Sequence, residues 1–185
     1  MQKKILRHIK SCPVVVLLWL LGGVSGLTAE EQVFQKIDSY VAGMLGTPVP
    51  ESRTLWVDQD LRDVIGGIIK YPAPLRIPYW QKQDMSVWIL NDLGKLYPIT
   101  AGVTVKGGRI YDISVLIYRE SHGAEVRYPA FRKQFEGASL TGDRKLDKTI
   151  HGISGATLST NTMKRLARLA LVLDQKITGQ TAIGD

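Results

Sequence analysis

Apolar residues recur at helical spacing in three stretches of this chain and cluster as short runs between them. The first stretch runs from Glu30 to Leu45, with Val33, Phe34, Ile37, Tyr40, Val41 and Met44 along one face. Gly46, Pro48 and Pro50 end it. Asp58 caps a second predicted helix that runs to about Ile69, with Leu61, Val64, Ile65 and Ile68 inward and Gly66-Gly67 weakening it. The third covers Ser159 to Gln175, where Met163, Leu166, Ala167, Ala170 and Leu171 face inward and Lys164, Arg165 and Arg168 outward.

Between the helices the period changes. Leu55-Trp56-Val57 predicts a short strand, and Val87-Trp88-Ile89-Leu90 another, ended by Asn91-Asp92-Leu93-Gly94. Ile99 to Val105 and Ile110 to Tyr118 flank Lys106-Gly107-Gly108-Arg109, whose paired glycines signal an antiparallel hairpin. Tyr71 to Trp80 holds three prolines and predicts an extended loop, its aromatics suited either to covering a planar cofactor or to lidding the core. A short helix is expected from Pro129 to Phe135, then a loop from Gly137 to Lys145. The expected fold class is α+β, a small antiparallel sheet with packed helices. The expected divisions are a signal or anchor segment at 1–29, an N-terminal helical region with the Pro-rich loop at 30–84, the main domain at 85–176 and a tail at 177–185.

Charge and leader belong together. The sequence has 185 residues, 24 basic and 17 acidic, for a net charge of +7. Setting aside Lys3, Lys4, Arg7 and Lys10 leaves 20 basic against 17 acidic residues, an unremarkable surface that argues against nucleic acid as a partner. Those four precede the apolar run Pro13 to Leu21 and the small residues before Glu30-Glu31, the order of a secretory signal. Residues 12–27 are short for a spanning helix and interrupted by Gly22, Gly23 and Gly26, yet they could contact or anchor in a membrane. The single cysteine, Cys12, lies in this leader, so the mature domain is expected to lack disulfides and thiolate chemistry. The expected location is the periplasm or the periplasmic face of the bacterial inner membrane.

Candidate chemistry concentrates at Asp147 to Thr160, where glycines and hydroxyls crowd together before the last helix. Such a junction brings free backbone N–H groups and a positive helix end close to a phosphate, although a glycine turn with a hydroxyl cap has the same composition. A nucleophile elbow is missing: Gly152 precedes Ser154 by two, but Ala156 follows it. His122 and His151 have no paired acidic spacing for a metal, and phosphate-loop and dinucleotide fingerprints do not occur.

Ser154-Gly155-Ala156-Thr157-Leu158-Ser159 resembles the flavinylation motif of the FMN-binding domain family. That family includes FMN-bearing subunits of the sodium-pumping quinone reductase, its ion-translocating relatives and many small exported flavoproteins. The preceding hairpin is similar too, and Glu120-Ser121-His122-Gly123 resembles the family's post-strand Glu-Thr-Pro-Gly segment; the resemblance spans roughly 88–173. It implies FMN esterified through its phosphate to Thr157 by a flavin transferase. Ser154, Gly155, Ala156, Leu158 and Ser159 would then shape the phosphate pocket, with Glu120, Ser121, His122 and Gly123 near the ring. One departure stands out: the family's motif carries Asp six residues before the modified threonine, and here that residue is His151, with Asp147 four residues earlier. The implied function is electron transfer with a membrane or periplasmic redox partner, as a carrier more than an independent catalyst. The alternatives are a periplasmic binding module without covalent flavin and a flavin-dependent reductase.

Overall fold

The computed structural model describes residues 31–179; the expected leader with Cys12, and the residues beyond Gly179, lie outside them. Among the described residues the chain builds β1 (Gln32–Val33), α1 (Ile37–Leu45), β2 (Arg53–Trp56), α2 (Gln59–Gly66), β3 (Arg76–Lys82), β4 (Met85–Leu93), β5 (Pro98–Lys106) and β6 (Arg109–Tyr118). Two 3-10 turns then flank α3 (Pro129–Arg132), and α4 (Thr157–Thr178) closes the order. The fold is α+β, as expected. No helix among the described residues is long and apolar enough to cross a membrane.

The six strands form one antiparallel sheet in the order β1-β6-β5-β4-β3-β2. The predicted hairpin supplies its second and third strands, β6 and β5, turned at Gly107 and Gly108 with φ of 54° and 74°. Helices cover both faces, so β5 is buried on both sides from Ile99 to Val105. The larger core lies under α4, whose Met163, Leu166, Ala170 and Leu173 pack with Trp88, Val103 and Ile113. On the opposite face α1 sets Tyr40, Val41 and Leu45 against Val87 and Leu116. The Tyr40 ring lies against Gly102, where a Cβ would meet it at 2.4 Å. Its hydroxyl reaches Thr104 and Asp112, and burial drives its pKa well above the ordinary value, the Asp112 charge adding to the effect.

Several expectations are corrected. The Glu30–Leu45 helix begins only at Ile37, because Gln32 and Val33 pair with Tyr118 and Ile117 at the open edge of β6. The loop expected from Tyr71 to Trp80 ends at Leu75: Arg76 to Lys82 is a strand between β2 and β4, with Pro78 inside it. Asn91-Asp92-Leu93 continues β4 instead of ending it, paired with Thr100, Ile99 and Pro98. The last helix begins at Thr157, two residues earlier than expected.

Arg165 does not face solvent. Its Nε lies 2.5 Å from Oδ2 of the fully buried Asp92, whose other oxygen accepts the N–H groups of Lys70, Tyr71 and Leu93. The carboxylate is thus paired and hydrogen-bonded, the condition for keeping a charge inside. This contact ties α4 to the end of β4 and fixes how the helix start meets the neighbouring loops.

Candidate functional site

Three chain segments meet at one end of the sheet: the β4–β5 connection, the residues after β6, and the start of α4. Glu120 joins the first two. Its Oε1 accepts the consecutive N–H groups of Lys95, Leu96 and Tyr97 at 2.5, 2.6 and 2.9 Å. A Cβ on Gly94 would come within 2.7 Å of that oxygen, so only glycine lets the connection curl around the carboxylate.

Tyr118 joins the second segment to the third. Its hydroxyl lies 2.5 Å from the His122 carbonyl oxygen and 2.8 Å from Ser159 Oγ. A carbonyl only accepts, so the phenol donates to His122 and Ser159 donates to the phenol. Burial raises the Tyr118 pKa, with the Ser159 hydroxyl drawing it partly back. Gly123, at φ 91°, lies under this link; a Cβ there would stand 2.6 Å from Ser159 Oγ.

The start of α4 is bare. Ala156 occupies the cap position and offers no side-chain acceptor; its own N–H goes to Ile153 O, and the first helical bond is Thr160 N–H to Ala156 O at 2.8 Å. The N–H groups of Thr157, Leu158 and Ser159 therefore have no partner within the helix. Together with the dipole of a 22-residue helix they favour an anion. Gly155, at φ 80°, has open space where a Cβ would project. Upstream, the Gln134 side chain clamps the His151 backbone, accepting its N–H at 2.8 Å and donating to its carbonyl at 3.4 Å. The His151 side chain is exposed.

These elements enclose a cavity of about 330 Å³ lined by Lys95, Leu96, Glu120, Ser121, His122 and Gly155 to Ser159. Thr157 is exposed there, as are Leu96 (69%) and Leu158 (46%), two apolar side chains beside the bare helix end. Eight of the ten residues singled out in the sequence line this cavity; Ser154 and Gly123 do not. Ser154 lies exposed in the preceding turn, and Gly123 is buried beneath Ser159. Asp147 serves elsewhere: its oxygens accept the N–H and hydroxyl of Ser139, which hold its carboxyl below the ordinary range.

Two of the lining side chains also hold the structure together. Ser159 is buried and its hydroxyl hydrogen is committed to Tyr118, so its side chain latches the helix start and only its N–H faces an anion. Glu120 fastens a loop through Oε1. The residues missed by sequence reading are Lys95, the cavity's lysine, and Leu96; both fall in what reads as a turn after β4. No cluster of metal-ligating side chains occurs among the described residues.

The donor set suits a ligand with a phosphate and a flat apolar body. Free N–H groups, a helix dipole and Lys95 would meet the anion, Gly155 would leave it room, and Leu96 and Leu158 would offer apolar contact. No curated protein matches the chain. Residues 94–172, which include every residue lining the cavity, match the family model of the FMN-binding domain. The chain therefore carries an FMN-binding domain, with FMN as its cofactor.

Proposed function

We propose that this chain is an electron-transfer flavoprotein working outside the bacterial cytoplasm, its FMN joined through the phosphate to Thr157. The observation that carries the reading is the placement of Thr157. It is an exposed hydroxyl on the first residue of α4, beside N–H groups that no side chain caps. A phosphoester there would hold its anionic oxygens at the positive end of the helix. Forming it takes an O–P bond from the Thr157 hydroxyl, which gives up its proton. A phosphoanhydride of the flavin donor breaks and its other half leaves; that exchange is the work of a flavin transferase. Bound FMN supplies one- and two-electron transfer, and the protein supplies position and partner contact.

The chain's own residues divide the work. Glu120 and Tyr118 hold the three segments in register, Lys95 and the α4 N–H groups hold the phosphate, and Leu96 and Leu158 flank the ring. The basic start and apolar run before Glu30 support export or a membrane tether, which would place the domain in the periplasm or on the periplasmic face of the inner membrane, facing a redox partner there.

The test is an intact mass of the exported protein co-expressed with a flavin transferase. A single addition of FMN less one water is expected, with flavin fluorescence on the denatured polypeptide and loss of both in Thr157→Ala. Fluorescence that persists in Thr157→Ala would refute the attachment site. A second reading, FMN held without a covalent bond, is favoured by His151 standing where the family's motif has an acid. Denaturation would then release all the flavin and leave the polypeptide mass unchanged.

A further inference from the structure

The sheet is split between β3 and β4. The two strands pair from Lys82↔Met85 only as far as Tyr79↔Trp88, whose rings stack at 4.9 Å. Beyond that pair they part: Arg76 to Pro78 pairs only with β2, and Ile89 to Leu93 only with β5. Pro78 has no N–H to offer a ladder, which removes one donor at the point of divergence.

A cavity of about 360 Å³ occupies the gap. Ile77, Leu90 and Leu169 line it from the core under α4, while Ile37, Trp80 and Ile89 line it from the α1 side. The slot thus passes through the sheet, joining two apolar clusters that a continuous sheet would separate. Pro72 and Pro74 border it from the loop before β3. Its size lies at the small end of small-molecule sites.

The polar side chains of the lining are donors without a matching acid. Among the described residues no carboxylate lines the slot, and the exposed Arg76 guanidinium has no hydrogen-bond or ion-pair partner. Asn91 Oδ1 already accepts from Thr100 Oγ1 at 2.6 Å, which leaves its amide hydrogens available. The slot is separate from the flavin cavity: their linings share no residue, although both draw on the β4 end.

We propose that this slot binds a medium-chain amphiphile with a carboxylate head. The hydrocarbon tail lies between the two strands, where apolar area is removed from water, and the carboxylate meets Arg76 and the Asn91 amide. Arginine's planar fork matches a carboxylate with two parallel bonds.

The experiment uses 11-bromoundecanoate, whose bromine quenches tryptophan on contact, with the full-length chain. Saturable quenching is expected, with the saturable part absent in Trp80→Phe. Arg76→Glu, a surface change, is expected to weaken binding at least tenfold, as is Ile89→Phe, which fills the slot; near-ultraviolet circular dichroism checks that both variants fold. The methyl ester of the probe is expected to bind at least tenfold more weakly. Quenching that does not saturate, that survives Trp80→Phe, or that neither Arg76→Glu nor Ile89→Phe weakens would overturn the site. Equal binding of the ester would overturn the assigned head group.

Discussion

Ser159 donates its hydroxyl hydrogen to the Tyr118 phenol across 2.8 Å, because the phenol's own hydrogen is taken by the His122 carbonyl at 2.5 Å. The pair locks the first turn of α4 to the end of β6. Tyr118→Phe removes both links and is expected to cost about 1–3 kcal/mol, and Ser159→Ala about 1 kcal/mol. Because one bond is common to both, the double variant should cost less than the sum of the singles. Denaturant midpoints of the four proteins measure this; strict additivity would show that the two hydroxyls are not coupled.

Glu120 acts as a fastener, which makes its two obvious variants behave differently. In Glu120→Gln an amide oxygen still accepts from Lys95, Leu96 and Tyr97, whereas Glu120→Ala leaves three N–H groups without that acceptor. The alanine variant is expected to lose roughly 2–3 kcal/mol and the glutamine variant about half as much. Flavin content per chain should fall only in the alanine variant. Equal loss of flavin from both, at unchanged stability, would mean the carboxylate acts on the cofactor itself.

What the sequence disclosed is what local chemistry decides. The β5–β6 hairpin was legible because Gly107-Gly108 sits between two apolar runs, and α4 because its apolar spacing repeats turn after turn. β3 was hidden by its prolines: Pro78 is tolerated because the ladder to β4 has already ended at Tyr79. The turn between β3 and β4 carries no glycine, and Gln83 takes the positive φ of 54° instead. Lys95 and Leu96 reach the cavity at the start of α4 because Glu120, over twenty residues away, gathers their N–H groups. Arg165 reads as a surface residue until Asp92 is seen beside it. Ser159's role likewise depends on Tyr118, far off in the chain. Such pairings leave no periodic trace.

His151 replaces the acid of the family's motif, and its exposure makes the position easy to test. His151→Asp should leave stability within about 0.5 kcal/mol of the parent, since the Gln134 clamp holds only the backbone. If a transferase reads a carboxylate there, the flavinylated fraction on co-expression should rise severalfold by intact mass. An unchanged fraction would show that the enzyme recognises the turn and Thr157 without it.

Thr160 lies one turn into α4, 2% exposed, and its Oγ1 is the one buried side-chain polar atom without a partner among the described residues. An unsatisfied buried hydroxyl is a liability that an apolar group of the same shape removes. Thr160→Val keeps the β-branch and exchanges the hydroxyl for a methyl. It is expected to raise stability by about 1 kcal/mol, read as a higher denaturant midpoint at unchanged slope. A lower midpoint would show that the hydroxyl has a partner in solution, a bridging water being the simplest.

Asp174 gives the fold a pH dependence opposite to that of its surface acids. It is 3% exposed, and burial raises its pKa, against the pull of the Ser86 hydroxyl that donates to it at 2.6 Å. Trp88 Nε1 in turn donates to Ser86, so the carboxylate ends a chain of bonds beneath α4. With a folded pKa above the unfolded value of about 3.9, the folded state binds more protons than the unfolded state between those two values. Stability therefore falls as pH rises through that window and the penalty stays constant above it. Asp147, whose pKa is lowered, has the other sign: its contribution is present above the unfolded value and lost as pH falls through the folded one. In Asp174→Asn the amide oxygen still accepts from Ser86, but the titration is gone. Relative to the parent, this variant should become progressively more stable from about pH 4 upward until Asp174 is fully ionised in the folded parent. Urea denaturation of both proteins across that range measures the difference; a difference that does not change with pH would mean the Asp174 carboxyl titrates alike in both states.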